Sequence, residues 1–491
     1  MKPSAEPVQA RPHPVVARPG IERISPNDLT TLATDRGPVP TNIGAVLVMD
    51  GGGEGAGDGG AELDLAAVRS LLGRRVCRVP RLRQVLETVP IGAGRPVWVD
   101  DAAFAIERHV TGRVAHDETE LLRVAADLAC TRLPRDRPLW AACWVSGLPD
   151  GRGALILVIH HVLTDGLGGL AVLAELCDPS DDDDRAGSGA ASRDLAPVAR
   201  PSSHTLRADA GHDRLVALGH AWGSARAAVR GVRELMVARG GASASTGGRG
   251  ARREGVRADR RGLRLAARTS LNRPTGSRRR LSTVEVALAD VREAAHAHGC
   301  TVNDLLLSAI GGAVGGVLAQ RGEHPDELVV SVPVSVRRST TADRLGNDTG
   351  VAPVAVPVSA HPGERLAVVA ARTSRQRAAG SKGASAVPLG VVFRLLGRMG
   401  LFQVFIDHQR LVHTFVTNVR GPSATLHFAG RRVARVVPFA LTPGNVGVCF
   451  DVLSYAGRLV VTTVADPDVV PEQDLLTQLV GEQITALTRP S

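Results

Sequence analysis

Aromatic residues make up only 3% of the 491 residues, and Tyr455 is the single tyrosine. Proteins that bind single-stranded nucleic acid stack bases on aromatic side chains, so this composition disfavours that class. The longest uncharged apolar run, residues 305–319, contains four glycines and is shorter than the roughly 20 residues of a membrane-spanning helix. Residues 1–20 lack the apolar core of a signal peptide. We therefore expect a cytoplasmic protein that at most lies peripherally on the inner membrane surface.

Motifs for metal binding and for nucleophilic serine chemistry are also missing. The six cysteines are widely spaced, with no C-x-x-C pair, and are expected to be reduced core residues. No cluster of His, Cys and carboxylates has ligand spacing, so no metal site is predicted. No serine lies in a G-x-S-x-G elbow, so a serine nucleophile of that kind is not predicted either.

Lysine is nearly absent, and the net charge of +10 comes from arginine. Residues 231–280 contain 14 arginines and three acidic residues, so the excess charge lies in one segment. Two interpretations of this segment remain open. It is a solvated linker whose arginines reflect base composition, or it docks on an anionic membrane. A nucleic-acid tether is disfavoured because aromatic residues are lacking.

The length and the hydrophobic content of 44% predict two domains. Composition changes at Asp181, where DDDDRAGSGAASRD begins a polar stretch. We expect a disordered N-terminus over 1–20, an N-terminal domain over 21–180, a polar, Arg-rich linker over 181–268 and a C-terminal domain over 269–491. Strand and helix patterns mix in both halves, which indicates an α/β (α+β) fold.

Several elements can be predicted from the apolar pattern. ALILVIHH at 154–161 does not alternate and therefore predicts a strand buried on both faces. GLGGLAVLAEL at 166–176 and TVNDLLLSAIGGAVGGVLAQ at 301–320 predict helices. Ala456-Gly457 lies between two apolar runs, which is typical of a hairpin turn.

The sharpest motif is HHVLTDG, from His160 to Gly166, directly after the predicted buried strand. Adjacent strand residues point to opposite faces, so only one of the two histidines can face a cavity. Two interpretations stay open at this point. The histidines are core residues satisfied by hydrogen bonds, or one of them is a general base acting on a bound hydroxyl.

HHVLTDG is one of several motifs in which the sequence resembles the bacterial wax ester synthase/acyl-CoA:diacylglycerol acyltransferase family. This family belongs to the CoA-dependent acyltransferase superfamily, with chloramphenicol acetyltransferase and peptide-synthetase condensation domains. The resemblance implies two chloramphenicol-acetyltransferase-like domains, with mixed sheets flanked by helices and an active-site tunnel between them. The other matching motifs are ISPNDLTTL near residue 24, RPVWVDDAAFAIERHV at 95–110, RDRPLW at 135–140, CTVNDLLLSA at 300–309, VPVSVR at 332–337, TNVRGP at 417–422 and VLSYAGRLVVTTVADPD at 452–468.

The resemblance implies a catalytic group formed by His160, His161 and Asp165. His161 would be the base that draws the proton from the acceptor hydroxyl, and His160 its packing partner. Asp165 would be a structural carboxylate paired with an arginine, and Gly166 a spacer that leaves room for substrate. A neutral imidazole with an ordinary pKa of about 6.5 suits the role of base.

The resemblance also implies that Asn303 and Asp304 support the site from the second domain. The alternative is that Thr301 and Asp304 cap the helix that begins there. The Pro138-Leu139-Trp140 motif has an equally simple interpretation as a strand edge with one packed aromatic ring. Arg420 in TNVRGP departs from the usual Asn-Val-Pro-Gly-Pro of the family, which puts the local backbone shape in question.

The implied activity is transfer of a fatty acyl group from acyl-CoA to a diacylglycerol or long-chain alcohol. Acyl-CoA would be a substrate, no cofactor would be needed and no covalent enzyme intermediate would form. A membrane or lipid-droplet surface is the expected partner, and nucleic acid is not. Two alternatives remain: esterification of a polyketide or other secondary-metabolite alcohol, and a non-catalytic lipid-binding relative.

Overall fold

The computed structural model describes residues 21–51, 63–179, 200–215, 266–335, 349–358, 361–378, 393, 395–397 and 399–489. The chain forms two compact units. The smaller comprises Met1–Ile24, Leu86–Asp100 and Leu195–Thr246, and the larger comprises Ser25–Val85, Asp101–Asp194 and Gly247–Ser491. The predicted disordered N-terminus and most of the predicted linker and its Arg-rich segment lie outside the described residues.

Strands and helices are interspersed along the described chain. The strands are β1 Glu22–Arg23, β2 Asn42–Met49, β3 Gln84–Glu87, β4 Val97–Asp100, β5 Val110–Val114, β6 Trp140–Ser146, β7 Gly153–His160, β8 Arg280–Ala287, β9 Glu327–Ser335, β10 Thr349–Pro357, β11 Thr414–Arg420, β12 His427–Phe428, β13 Arg431–Ala440, β14 Val448–Tyr455 and β15 Arg458–Ala465. The helices are α1 Pro26–Thr34, α2 Leu65–Arg75, α3 Glu118–Cys130, α4 Gly166–Leu176, α5 203–215, α6 Leu288–Ala297, α7 Val302–Gln320, α8 Pro362–Ala378, α9 Phe402–Asp407 and α10 Gln473–Thr488.

The smaller unit is held together around Arg23. Strand β1 pairs antiparallel with β4. The Arg23 guanidinium donates to Asp209 at 2.7 Å and to the Ala93 carbonyl at 2.9 Å. Asp209 lies on α5, so residues 203–215 of the predicted linker form a helix.

The first of two six-stranded sheets in the larger unit has the order β12-β13-β2-β7-β6-β5. Strands β5 and β6 are parallel, whereas β7 is antiparallel to both β2 and β6. Every residue of β7 is buried, as its apolar run predicted. β13 comes from the C-terminal half of the chain yet pairs with β2, so the halves on either side of the predicted linker share this sheet.

The second sheet has the order β10-β9-β11-β14-β15-β8. Its strand β11 is parallel to β9 and β14, and the other pairs are antiparallel. Both sheets are therefore mixed, as expected. The predicted hairpin is present between β14 and β15: Tyr455 pairs with Arg458, and Ala456 and Gly457 have φ of 45° and 80°.

Helix α7 lies in the core against the second sheet. A Cβ at Gly311 would lie 2.4 Å from Val356, and one at Gly315 would lie 2.1 Å from Val358. These glycines, one turn apart, let the helix approach β10 closely. With 19 residues and a mean hydropathy of 1.6, α7 is long and apolar enough to span a bilayer, but 72% of it is buried inside the structure. Because it is buried in the protein, its apolar composition is that of a core helix.

Candidate active site

The two histidines lie where β7 ends, in the interior of the first sheet. His160 is the last residue of β7 and pairs with Asn42 of β2. The His161 N–H donates to the Thr41 carbonyl at 2.9 Å, one residue beyond the strand pairing. The backbone on both sides of the pair is therefore fixed by neighbouring strands.

His160 has both ring nitrogens engaged in hydrogen bonds. The Val162 N–H donates to Nδ1 at 3.0 Å, which assigns the proton to Nε2. Nε2 lies 3.1 Å from the Asp35 carboxylate and donates to it. His160 is buried, so this residue is a satisfied core histidine that fixes the loop after β7.

Asp35, which follows α1, is a site residue that no sequence motif indicated. Arg132 and Arg135 place guanidinium nitrogens 2.8 and 3.2 Å from its Oδ2, and the Thr41 N–H donates to its Oδ1 at 3.0 Å. Burial alone would raise the pKa of Asp35, but the His160 hydrogen bond and these partners hold it well below its ordinary value. The carboxylate is therefore ionised and anchors His160.

His161 differs from its neighbour in exposure. It is half-buried, whereas His160 is buried. Burial of the imidazole is the main cause that lowers the pKa of His161 from 6.5. A pKa below 6.5 keeps the imidazole neutral at neutral pH, the form that can accept a proton.

Asp165 and Gly166 begin α4 directly after the histidines. The Asp165 carboxylate accepts the Gly168 N–H at 3.0 Å and is the N-cap of the helix. A Cβ at Gly166 would lie 3.1 Å from Val419 of β11. The HHVLTDG loop thus contacts β11 of the second sheet, and a side chain at position 166 would have little room there. The arginine partner of Asp165 stays a prediction.

Asp304 forms the predicted helix cap. Thr301 and Asp304 make a reciprocal capping box at the start of α7, with bonds of 2.9 and 3.2 Å. The buried Asp304 carboxylate also accepts the Thr373 hydroxyl at 2.6 Å and lies 3.6 Å from Arg377. These contacts join α7 to α8. The neighbouring motif residue, Asn303, is half-buried. The capping interpretation is confirmed, and a supporting role in the site stays a prediction for both residues.

The tryptophan of the Pro-Leu-Trp motif packs in the core. Trp140 begins β6, and its indole N–H donates to the Leu82 carbonyl at 2.8 Å. Its ring stacks on His109 with centroids 4.5 Å apart. The interpretation as a strand edge with a packed aromatic ring is confirmed.

Asp451 of β14 is another buried carboxyl group that was not singled out from the sequence. It lies opposite Thr417 of the TNVRGP motif, accepts the Thr417 hydroxyl, and accepts the Ala440 N–H of β13 at 2.7 Å. Burial raises the pKa of Asp451 to about 7. Arg420, the departure within the motif, is exposed and ends β11 as a strand residue.

A cavity of about 340 Å³ lies at the other end of the first sheet, beside Asp50, Glu118, Arg152 and Arg435. β7 extends for seven residue steps of about 3.3 Å, so this cavity is roughly 20 Å from His160. Arg435 is paired with Glu118 at 2.8 Å. Within the described ranges, no three His, Cys, Asp or Glu side chains converge as metal ligands would.

Comparisons with known proteins identify relatives over nearly the whole chain. The model of the wax ester synthase/diacylglycerol acyltransferase catalytic domain matches residues 24–306, and that of the C-terminal domain of the same proteins matches residues 345–488. The protein tgs1 of Mycobacterium tuberculosis, described as a probable diacylglycerol O-acyltransferase, is 30% identical over 455 residues, which are 91% of this chain and 90% of that protein.

Two solved structures show the same fold. The wax ester synthase/diacylglycerol acyltransferase from Marinobacter aquaeolei VT8 is similar with a TM-score of 0.64 and 20% identity, over 95% of this chain and 98% of that chain. The first condensation domain of the calcium-dependent antibiotic synthetase is similar with a TM-score of 0.53 and 18% identity, over 95% of each chain.

Proposed function

The chain belongs to the wax ester synthase/diacylglycerol acyltransferase family and is an acyltransferase of that type, and on this premise we propose the reaction and its base. A fatty acyl group passes from acyl-CoA to the hydroxyl of a diacylglycerol or long-chain alcohol, with His161 as general base. Acyl-CoA is a substrate in this reaction, and no cofactor takes part. The name of the mycobacterial relative supports diacylglycerol as the acceptor.

The step moves one proton and exchanges one bond. The neutral imidazole of His161 accepts the proton of the acceptor hydroxyl as its oxygen attacks the thioester carbonyl carbon. The new C–O bond forms, the C–S bond breaks, and the CoA thiolate takes the proton from the imidazolium. The products are the ester and CoA with a free thiol, and the imidazole is neutral again.

The assignment of the base rests on the hydrogen bonds of His160. Both of its ring nitrogens are engaged, with the Val162 N–H and with Asp35. A proton taken up at Nδ1 would cost the Val162 hydrogen bond in a buried site. His161, half-buried and with a lowered pKa, is the histidine of the pair suited to cycle between neutral and protonated forms.

We also propose that no covalent acyl-enzyme forms. No serine of the chain lies in a nucleophile elbow. Burial raises the pKa of the Cys177 thiol to about 12 and that of the Cys449 thiol well above its ordinary value. Thiols with such pKa values are protonated at neutral pH and are poor nucleophiles. Intact-mass measurement of the enzyme mixed with acyl-CoA alone is expected to show no acyl adduct.

The proposal is tested by product analysis with the purified full chain. Labelled palmitoyl-CoA is supplied with either a diacylglycerol or hexadecanol, and the esters are separated by thin-layer chromatography. We expect triacylglycerol or wax ester from the wild type. The variant His161→Ala is expected to lower turnover about 10² to 10⁴-fold, the usual contribution of a positioned general base, with an unchanged melting temperature.

His116→Ala is the matched control, because His116 is an exposed histidine of the same chain. It is expected to retain wild-type turnover. Near-normal turnover of His161→Ala would exclude His161 as the base. Absence of any labelled ester with either acceptor from the wild type would contradict the proposed substrates.

A further inference from the structure

Four large apolar side chains are exposed within ten residues of the chain. Among the described residues, the other exposed large apolar side chains, Ile91, Val114, Leu215 and Val368, are scattered. The four clustered residues, which we call the apolar patch, are Leu395, Met399, Leu401 and Val404, with exposed fractions of 57%, 56%, 45% and 61%. Clustered apolar exposure of this kind marks an interaction surface more often than scattered residues do.

The apolar patch is backed by a cluster of aromatic rings. The rings of Phe393, Phe402 and Phe405 lie 5.5 to 6.3 Å apart between centroids. Phe402 is buried, so α9 packs one aromatic side inward. Leu401 and Val404 stay exposed on the same short stretch. The patch is therefore the outer surface of a packed element.

The segment that carries the apolar patch lies against α1 and the turn that follows it. A Cβ at Gly397 would lie 2.9 Å from the Ala33 carbonyl, and one at Gly37 would lie 2.8 Å from the Gln403 side chain. Between Ala33 and Gly37 lies Asp35, the carboxylate that binds His160. The patch is therefore next to the turn that anchors the catalytic loop.

Positive charge borders the apolar patch at the same turn. Arg132 donates to the Gly37 carbonyl at 2.8 Å, and the side chains of Arg132 and Arg135 are 43% and 54% exposed. Arg36 is exposed as well. Arg132 and Arg135 pair with one buried carboxylate, Asp35, and Arg36 is the next residue of the turn, so the three arginines outnumber the carboxylate at this border. An apolar surface with arginines at its edge is complementary to an anionic lipid leaflet.

We propose that the apolar patch and the arginines of this turn dock the protein on an anionic lipid surface. The patch enters the boundary of the acyl chains, and Arg36, Arg132 and Arg135 lie at the headgroups. The benefit of this arrangement rests on the proposed function, because it brings a lipid-dissolved acceptor to the side of the molecule that carries His160 and His161. The docking itself is a binding event that requires no catalysis.

The test is co-sedimentation of the full chain with vesicles of phosphatidylcholine alone and of an equal mixture with phosphatidylglycerol. We expect binding to the anionic vesicles that weakens at high salt, since salt screens the headgroup attraction. The double variant Leu401→Glu, Val404→Glu is expected to bind about ten-fold more weakly, because it places carboxylates against acyl chains and anionic headgroups. Arg36→Glu is expected to weaken binding several-fold.

Val114→Glu is the matched control, because Val114 is 60% exposed and Val404 is 61% exposed. It is expected to bind as the wild type does, and Leu395→Glu is a second patch variant if the double variant does not fold. Wild-type binding by the patch variants, or an equal loss with Val114→Glu, would overturn the proposal. So would a wild-type dimer that the patch variants dissociate, because a second copy of the chain would then occupy the patch.

Activity toward two acceptors separates this proposal from the proposed function. With hexanol, which needs no vesicle, the patch variants are expected to keep wild-type turnover. With diacylglycerol in anionic vesicles, they are expected to lose about as much turnover as they lose binding. No ester from hexanol or from diacylglycerol with the wild type would contradict the proposed function, while the sedimentation result would still decide the docking proposal.

Discussion

Asp35, at the end of the first sheet, and Asp451, within the second, are both 4% exposed. Asp35 lies among two guanidinium groups and the imidazole of His160, and its pKa is held well below the ordinary value. Asp451 has the Ala440 N–H and the Thr417 hydroxyl as partners, and burial raises its pKa to about 7. Two carboxyl groups with the same exposed fraction thus have pKa values shifted in opposite directions, because the partners of Asp35 include guanidinium groups and these two partners of Asp451 are neutral.

The difference matters for what each region can do. The ionised Asp35 accepts the Nε2–H of His160, and His160 accepts the Val162 N–H, so the loop that presents His161 is held by a defined set of hydrogen bonds. Asp451 changes charge near neutrality, at a point where β13 of the first sheet contacts β14 of the second. The first region is therefore fixed electrostatically, and the second responds to pH.

The largest expected effect comes from removing the ionised carboxylate. Asp35→Ala leaves Arg132, Arg135 and His160 without their common partner, and breaking such a buried group costs about 3 to 5 kcal/mol. The measurement is urea unfolding at neutral pH. Asp290→Ala, which removes an exposed carboxylate in the first turn of α6, is the control and is expected to change stability by less than about 0.5 kcal/mol.

The pH dependence of the Asp35 effect has a definite sign. Its folded-state pKa is lowered from 3.8, so the stability it contributes is present above about pH 4 and is lost as the pH falls further. The difference between wild type and Asp35→Ala should narrow below that pH. If the stability difference between wild type and Asp35→Ala stayed constant down to the lowest pH measured, an ionised Asp35 would be contradicted.

Asp451→Asn should show the opposite sign. The folded-state pKa of Asp451 is raised from 3.8 to about 7, so the stability of the protonated form is present at low pH and is lost as the pH rises from about 4 to about 7. Asparagine keeps the shape without the charge. We expect Asp451→Asn to be more stable than wild type by about 4 kcal/mol at pH 8, because a tenfold change in proton affinity corresponds to about 1.4 kcal/mol, and nearly equal to it at pH 4.

Thermal and urea unfolding across pH 4 to 8 measure this effect, with Asp290→Asn as a control that should follow the wild-type curve. Across this range the Asp35→Ala protein should stay less stable than wild type by a constant amount, whereas the Asp451→Asn protein should become more stable than wild type as the pH rises. A less stable Asp451→Asn at pH 8 would mean that Asp451 is ionised and paired there, and the contrast between the two regions would then be lost.

Local pattern was enough to predict several elements. The buried strand β7, the helices α4 and α7 and the hairpin at Ala456-Gly457 are encoded by nearby residues, through apolar runs, caps and turn residues. The family motifs identified His160 and His161 as candidates. These features depend on interactions within a few residues, which a sequence displays directly.

The parts that were missed depend on distant pairings. The apolar pattern of β13 is typical of a strand. Its sequence does not show, however, that it pairs with β2 of the first sheet and not with a strand of the second sheet. Asp35 lies 125 residues before His160, and Asp451 acquires its pKa from burial between strands. Burial and partner choice are set by tertiary packing, so the roles of these carboxylates became visible only in the folded chain.

The smallest expected effect concerns a third carboxylate, Asp165, whose N-cap bond is to a backbone N–H. Asp165→Ala removes the N-cap of α4 and should lower stability by about 1 kcal/mol, the usual contribution of a cap. Asp165→Asn keeps an N-cap oxygen and should therefore have nearly the stability of the wild type. Urea unfolding of the two variants distinguishes the cap from the arginine pairing that the family resemblance implies. If the asparagine variant lost about 3 to 5 kcal/mol, the charge of Asp165 would be paired as that of Asp35 is, and the end of the first sheet would contain two ionised anchors in place of one.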